Sequence, residues 1–272
     1  MTSAEDTAAP LSRTQAVAQN FGRRARDYTR HAHLQQHTAQ TLATFLREHA
    51  ELPDKGQVVE IGCGTGLLTE LLHTPGQPYL ATDLSPEMLE QCRSRLLSQA
   101  AGLGLSPDMW ESQGLSFAVL DGQSATFAVP PAAIVSNLTC QWFADPVTGL
   151  VRLARQTPLL AFSVPLQGSF PEWEAAFADL GRTSGLLPLP HEQAILAALD
   201  GLAPQRLTHR IEERPQHFPS ATAFADSFRL IGADQPRAGY APAPIRPVLR
   251  RFANGLDATA RILYCLVMRE IP

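Results

Sequence analysis

The sequence predicts an α/β protein with a mostly parallel, seven-stranded sheet flanked by helices. Three observations lead there. Short apolar runs of strand length alternate with segments of helical period, the order that a parallel sheet requires. The first of those runs empties directly into a glycine-rich turn. The chain's 272 residues, 44% hydrophobic and 18% charged, suit a globular protein with a large buried core.

Met1 to Ser12 are small and polar, and 1–13 reads as a disordered tail without the basic and apolar regions of a secretion signal. Val17, Phe21, Ala25 and Tyr28, then Leu34, Thr38, Leu42, Phe45 and Leu46, recur at helical spacing, so 14–50 predicts helices ahead of the first strand. Pro53 to Gly56 is a turn, Gln57 to Ile61 the first strand, and Leu67 to Leu72 opens a helix. Tyr79 to Asp83 is the second strand. Ser85-Pro86-Glu87 then supplies a capping hydroxyl, a first-turn proline and an early acid for a helix reaching about Gln99. Ala101 to Gly114, with four Gly or Pro residues, reads as an insertion before the third strand, Ser116 to Leu120.

Ala132 to Ser136 gives the fourth strand, Val147 to Arg155 a helix, and Leu159 to Val164 the fifth strand. Helices over Pro171 to Leu180 and Glu192 to Leu199, separated by a loop at Gly185 to Pro190, form a helical insertion after strand five. Leu207 to Glu213 is the sixth strand and Ser220 to Ile231 an amphipathic helix. Pro236 to Pro247 is a loop rich in Pro, Ala and Gly, and Ala260 to Arg269 is a final buried strand. No internal repeat is present.

Composition narrows the function classes. The apolar run Ile262 to Met268 falls well short of the roughly 18 residues of a membrane span, and the expectation is a cytoplasmic, monomeric protein with no membrane partner. Cys63, Cys92, Cys140 and Cys265 lack CxxC or His pairing, so free buried thiols and no metal are expected. Residues 1–200 hold 12 basic and 20 acidic residues, giving −8, whereas 201–272 hold 10 and 6, giving +4. Lys55 is the sole lysine, so the arginines reflect compositional drift. Without interleaved aromatics they do not indicate nucleic acid.

The strongest chemical signal is Val58-Val59-Glu60-Ile61-Gly62-Cys63-Gly64-Thr65-Gly66, a strand ending in E-x-G-x-G-x-G before a helix. Such glycines let backbone turn sharply and approach a ligand that a Cβ would repel. Asp83 closes the second strand 17 residues after Gly66, where a ribose diol needs an acceptor, and Asp121 closes the third. The nicotinamide pattern, G-x-G-x-x-G, differs in spacing and serves a pyrophosphate. This Rossmann-like arrangement resembles instead the class I methyltransferases, which bind S-adenosylmethionine. That resemblance places Glu60 and Gly62 near the methionine moiety of the cofactor and adds Cys63, Gly64, Gly66 and Asn137 to the cofactor-binding residues. It also implies Asp83 on the ribose, Leu84 and Met88 about the adenine, and Asp121 and Gly122 at its edge. The helices of 14–50 then become a lid, and 51–272 one methyltransferase domain with a cofactor half, 51–165, and a substrate-side segment, 166–272.

Further stretches narrow the resemblance. Val17 to Tyr28 followed by His31-Ala32-His33-Leu34-Gln35, Ser136 to Phe143, Gly168-Ser169-Phe170-Pro171-Glu172 and Leu230-Ile231-Gly232-Ala233 are similar to the malonyl-acyl-carrier-protein O-methyltransferases of biotin synthesis over roughly residues 15–270. Three features depart from that pattern. Gln156-Thr157-Pro158 stands where a Pro-Gly-Gly turn is usual, 101–114 is inserted, and Gly122-Gln123 replaces an aliphatic residue followed by an acid. The resemblance implies methylation of the free carboxylate of a malonyl thioester on acyl carrier protein, with malonyl coenzyme A as a second possible carrier. A malonyl carboxylate is already ionised at neutral pH, so positioning rather than a general base should carry catalysis. Tyr28, Gln141 and Trp142 are the positioning candidates, with plain core packing the alternative for Tyr28 and Trp142. Arg229, Arg237, Arg246, Arg250 and Arg251 are candidates for substrate or carrier docking, against a dispersed solvated surface. His33 and His37 are four residues apart but lack a third ligand. A methyltransferase for a small acid such as trans-aconitate, and a non-catalytic S-adenosylmethionine-binding module, remain as alternatives.

Overall fold

The computed structural model describes residues 12–102, 104, 106, 109–234 and 245–270. Most of the expected tail and most of the expected loop at 236–247 lie outside the described residues. The chain begins with two helices, α1 (Arg13–His31) and α2 (His33–His49). Ser12 caps α1 in a reciprocal pair with Gln15, the hydroxyl accepting from Gln15 N at 3.2 Å and Gln15 Oε1 accepting from Ser12 N at 2.9 Å.

Seven strands form one sheet: β1 (Val58–Ile61), β2 (Tyr79–Asp83), β3 (Leu115–Val119), β4 (Ala133–Asn137), β5 (Leu159–Pro165), β6 (Arg206–Phe218) and β7 (Leu256–Met268). Their order is β3-β2-β1-β4-β5-β7-β6, with β1 to β5 parallel and β7 antiparallel to both neighbours. β1 pairs Val58 with Tyr79 on one side and with Ala133 on the other, so the winding reverses there and opens a crevice at the strands' carboxyl ends.

The remaining helices are α3 (Thr69–Leu72), α4 (Pro86–Gly102), α5 (Met109–Ser112), α6 (Pro146–Ala154), α7 (Pro171–Ala178), α8 (Glu192–Asp200), α9 (Ala221–Leu230) and α10 (Arg246–Arg251). Central strands covered on both faces read as continuous apolar runs, and β1 and β5 are buried almost end to end. Leu42, Phe45 and Leu46 of α2 join Leu89 and Leu96 of α4 over one face. Leu150 and Leu153 of α6 join Ile195 and Leu199 of α8 over the other. A smaller aromatic cluster, Trp173, Phe177 and Phe224, fills the space beyond β7 with Leu256.

Several expectations need correction. The stretch ending at Pro247 is not loop throughout, because Arg246 and Pro247 open α10 with proline in its first turn. β6 and β7 run 13 residues each and pair along their whole length, beyond the expected limits at both β6 ends and at the start of β7. The 101–114 stretch contains the end of α4 and the short α5. Where a Pro-Gly-Gly turn is usual, the buried Thr157 hydroxyl lies 3.0 Å from the Pro131 carbonyl and 3.1 Å from that of Leu159, holding the entry to β5 without glycine.

Candidate active site

The glycine turn leaves β1 at the crevice. Gly62, Gly64 and Gly66 have φ of +69°, +56° and +84°, the left-handed region that favours glycine. A Cβ on Gly62 would lie 2.2 Å from the Thr139 side chain, and one on Gly66 would lie 2.6 Å from Cys92 Sγ. A Cβ on Gly64 would meet only Tyr28 Cε1, at 4.0 Å. Gly62 and Gly66 therefore let neighbouring elements close up, while Gly64 leaves open the space a ligand needs.

Glu60 is buried beneath this turn. Its Oε2 accepts from Thr69 Oγ1 at 2.6 Å and Tyr79 OH at 2.8 Å. Burial raises its pKa to about 7, and these hydrogen bonds pull only partly the other way. Asp83 ends β2, with Oδ2 accepting from Gly64 N and Oδ1 from Ser85 N, both at 2.9 Å. Burial raises its pKa as well, opposed by those backbone donors. The carboxylate retains lone pairs for further donors. Cys63 is hydrogen-bonded to Cys92 and buried, both of which raise its pKa and keep it a neutral thiol.

A cleft of about 960 Å³, part of it open to solvent, gathers most of the expected cofactor residues. Glu60, Gly62, Cys63 and Gly64 line it from the turn, Asp83, Leu84 and Met88 from the second strand and its helix, and Asp121 and Gly122 from beyond β3. Asn137 completes the set at the end of β4. Its Nδ2 donates to the Gln35 carbonyl at 3.1 Å, and its Oδ1 accepts from Ser163 Oγ at 2.6 Å, so it also ties α2 to the sheet. Gly66 stands outside the lining, against Cys92. From α1, Val17, Phe21 and Tyr28 complete the lining.

A second chamber, about 2940 Å³ with its open part, adjoins the first. Phe170, Trp173, Leu186, Phe224 and Phe228 give it apolar walls. Both spaces share Phe21, Tyr28, Gln35, Leu138 and Trp142. Phe21 meets the Trp142 ring edge-on at 5.3 Å, and Leu138 holds a positive φ of 50°, with its N–H 3.1 Å from both the Ser163 carbonyl and hydroxyl. Burial and the Asp83 charge push the Tyr28 phenol well above the usual tyrosine range, so it remains an O–H donor. That hydroxyl has no hydrogen-bond partner among the described residues. Gln141 lines the chamber but not the cleft; its Nε2 donates to the Leu138 carbonyl at 2.6 Å, while its buried Oε1 has no partner among the described residues.

The arginine candidates separate. Arg229 lines the chamber and ion-pairs with Asp226. Arg251 pairs with Asp179 and lies over the Phe252 ring. Arg246 and Arg250 are exposed on α10, and Arg237 lies outside the described residues. His37 Nε2 sits 2.7 Å from Glu212 Oε1, in an ion-pair geometry between α2 and β6.

Several residues that shape the site carry no local sequence signal. Thr69 and Tyr79 hold Glu60 from 9 and 19 residues away. Arg95 of α4 donates to the Thr65 carbonyl at 2.7 Å and to that of Gly66, stitching the glycine turn to that helix. Phe21 and Gln35 stood inside stretches quoted for their resemblance, yet only tertiary packing puts them between the two spaces.

Residues 58–148 match the family described as a methyltransferase domain. A malonyl-acyl-carrier-protein O-methyltransferase of Magnetococcus marinus is 33% identical over 274 residues, covering 95% of this chain and 94% of the relative. The biotin biosynthesis bifunctional protein of Bordetella avium is 36% identical over 94% of this chain, which spans only 52% of that longer protein. Among solved structures, magnesium protoporphyrin IX methyltransferase from Synechocystis, determined with bound SAM, aligns over 97% of this chain and 100% of its own. Its TM-score is 0.54 at 15% identity, a likeness of fold.

Proposed function

The chain belongs to the malonyl-acyl-carrier-protein O-methyltransferase family, and from that premise we propose that it methylates the free carboxylate of a malonyl thioester carried by acyl carrier protein, a step of biotin synthesis. S-adenosylmethionine supplies the methyl as a sulfonium: a carboxylate oxygen forms the new bond to carbon, the carbon–sulfur pair stays on sulfur, and no proton moves.

The site fits this cofactor. Asp83, already oriented by Gly64 and Ser85, has acceptor capacity left for a ribose diol. Glu60 offers an acid near the place where an α-ammonium belongs, and Gly64 leaves room above the turn. Of the expected lid helices of 14–50, α1 acts as the cover, with Phe21 and Tyr28 over the junction, while Leu42, Phe45 and Leu46 pack α2 into the core. Residues 51–165 then form the cofactor half and 166–272 the substrate side.

The single observation that carries the reading is the shared wall of Phe21, Tyr28, Gln35, Leu138 and Trp142 between a cofactor-type cleft and a large, mostly apolar chamber. A thioester arm can lie in the chamber and present its terminal carboxylate at that wall. Tyr28, held protonated, donates to the carboxylate and aims it, while Trp142 and Phe21 exclude water. Alignment of this kind is worth up to about 7–11 kcal/mol in favourable cases, which suits a site without a general base. A small free acid needs no such chamber, so its size favours a carrier-borne substrate. The neutral Cys63 thiol is a poor competing nucleophile.

Intact-mass analysis of malonyl-loaded carrier protein after incubation with enzyme and S-adenosylmethionine tests the assignment, with acetyl-loaded carrier and malonyl coenzyme A alongside. One added methyl on the malonyl carrier, and none on the acetyl form, is the expected result. Tight cofactor binding without methyl gain on any malonyl thioester would defeat it.

A further inference from the structure

We propose that Arg229, at the water-exposed edge of the chamber, is a specificity residue that grips the phosphodiester joining the substrate's pantetheine arm to its carrier. The inference rests on the carrier-thioester reading and adds to it which end of the substrate Arg229 meets.

Among the described residues lining the chamber, Arg229 is the only arginine, and there is no lysine. Its side chain is 57% exposed, whereas Tyr28 at the inner junction is 9% exposed. An exposed cation at the outer edge is wrongly placed to meet a carboxylate reacting at the inner wall. It is well placed for an anion that stays in water while the chain beyond it enters the apolar walls of Phe170, Trp173, Phe224 and Phe228. A phosphopantetheine thioester has that distribution: an uncharged arm between a terminal carboxylate and a phosphate at the carrier.

Arg229 is also available. Its partner is Asp226 on the preceding turn, a half-exposed pair of the kind that contributes little. A guanidinium fork matches phosphate oxygens in a two-point contact, and such charge-assisted bonds are stronger than neutral ones. Arg246, Arg250 and Arg251 do not line the chamber. Two acids share the lining: Glu174 accepts from Ser184 Oγ at 2.6 Å, and Asp234 lies just past α9. Their presence makes this a directional contact by one fork rather than attraction to a broadly basic surface.

The test compares malonyl phosphopantetheine with malonyl pantetheine, which lacks the phosphate, as substrates for the full-length wild-type enzyme, Arg229→Gln and Arg229→Lys. The expected result is a KM for the phosphorylated arm that rises about fivefold in Arg229→Gln, with kcat unchanged and the unphosphorylated arm unaffected. Arg229→Lys should recover part of that loss, and the same KM rise should appear with malonyl-loaded carrier and shrink at high salt. Equal losses on both arms would move Arg229 to the acyl end or to fold maintenance, and no loss on either would remove it from the substrate path. Both results overturn the assignment while leaving methyl transfer standing. Failure of the wild type to methylate any malonyl thioester would instead defeat the parent reading, and this inference with it.

Discussion

Two side chains lining the cleft carry separable predictions. The Glu60 carboxyl, raised by burial to about 7 against an ordinary 4.5, keeps its proton in the folded protein over a range where the unfolded chain has lost it. The native state then binds more protons between those values, so stability is greatest below about pH 4.5 and falls as pH rises toward 7, by about 3 kcal/mol for this group. Glu60→Gln should remove that slope and raise Tm at pH 8, while weakening cofactor binding. Opposite charge lowers a carboxyl pKa, so binding the cofactor's ammonium should expel the proton. Calorimetry near pH 7 in buffers of different ionisation enthalpy should show fractional proton release on S-adenosylhomocysteine binding, absent in Glu60→Gln. Proton uptake would contradict the account. Tyr28→Phe should leave Tm unchanged, since no partner among the described residues is orphaned. It should lower kcat/KM about tenfold to hundredfold, the worth of a hydrogen bond to a charged group. A variant that unfolds without losing specific activity would reassign Tyr28 to core packing.

Among the elements, the end of α9 shows what a glycine does for the neighbouring α1. Gly232 at φ +76° closes the helix, its N–H reaching the Arg229 carbonyl while the Ala233 N–H reaches that of Phe228. A Cβ there would stand 2.6 Å from the Asn20 carbonyl oxygen of α1. Gly232→Ala should therefore cost more than the roughly 1–2 kcal/mol of a left-handed residue and displace α1, weakening S-adenosylhomocysteine binding. Gly76→Ala, at φ +86° with nothing within 4 Å of the added carbon, should carry only the backbone cost and leave affinity alone. Equal affinities in the two variants would show that α9 does not seat α1. This contact gives a physical role to Leu230-Ile231-Gly232-Ala233, a stretch the sequence marked only by resemblance. Element limits were least legible where the apolar pattern fails. β6 is an edge strand with no buried residue, and it carries Pro215, which is tolerated at an edge because one side of the strand needs no donor. Such a strand has no periodic signal beyond its centre, and its true extent is set by pairing with β7.

Across the whole molecule, the sheet and the glycine turn were readable because strands buried on both faces must be apolar and a left-handed turn favours glycine. The site was only half readable, since Thr69, Tyr79 and Gln35 act through distances that no local pattern encodes. The same division predicts how the protein moves. The central strands belong to the two large clusters, whereas α1 buries only Val17, Ala25 and Tyr28, and its packing runs through a small group with Ala32, Met88 and Ile231. Few buried contacts mean a low free energy of local opening, as a cover over a binding cleft requires. In hydrogen exchange without ligand, the amides of α1 should open well before those of β1, β4 and β5. S-adenosylhomocysteine should slow α1 strongly and the sheet little, because Phe21 and Tyr28 close over it. If α1 instead exchanges as slowly as β4 without ligand, the helix is a fixed wall, and the substrate arm must enter through the chamber edge at Arg229 without help from α1.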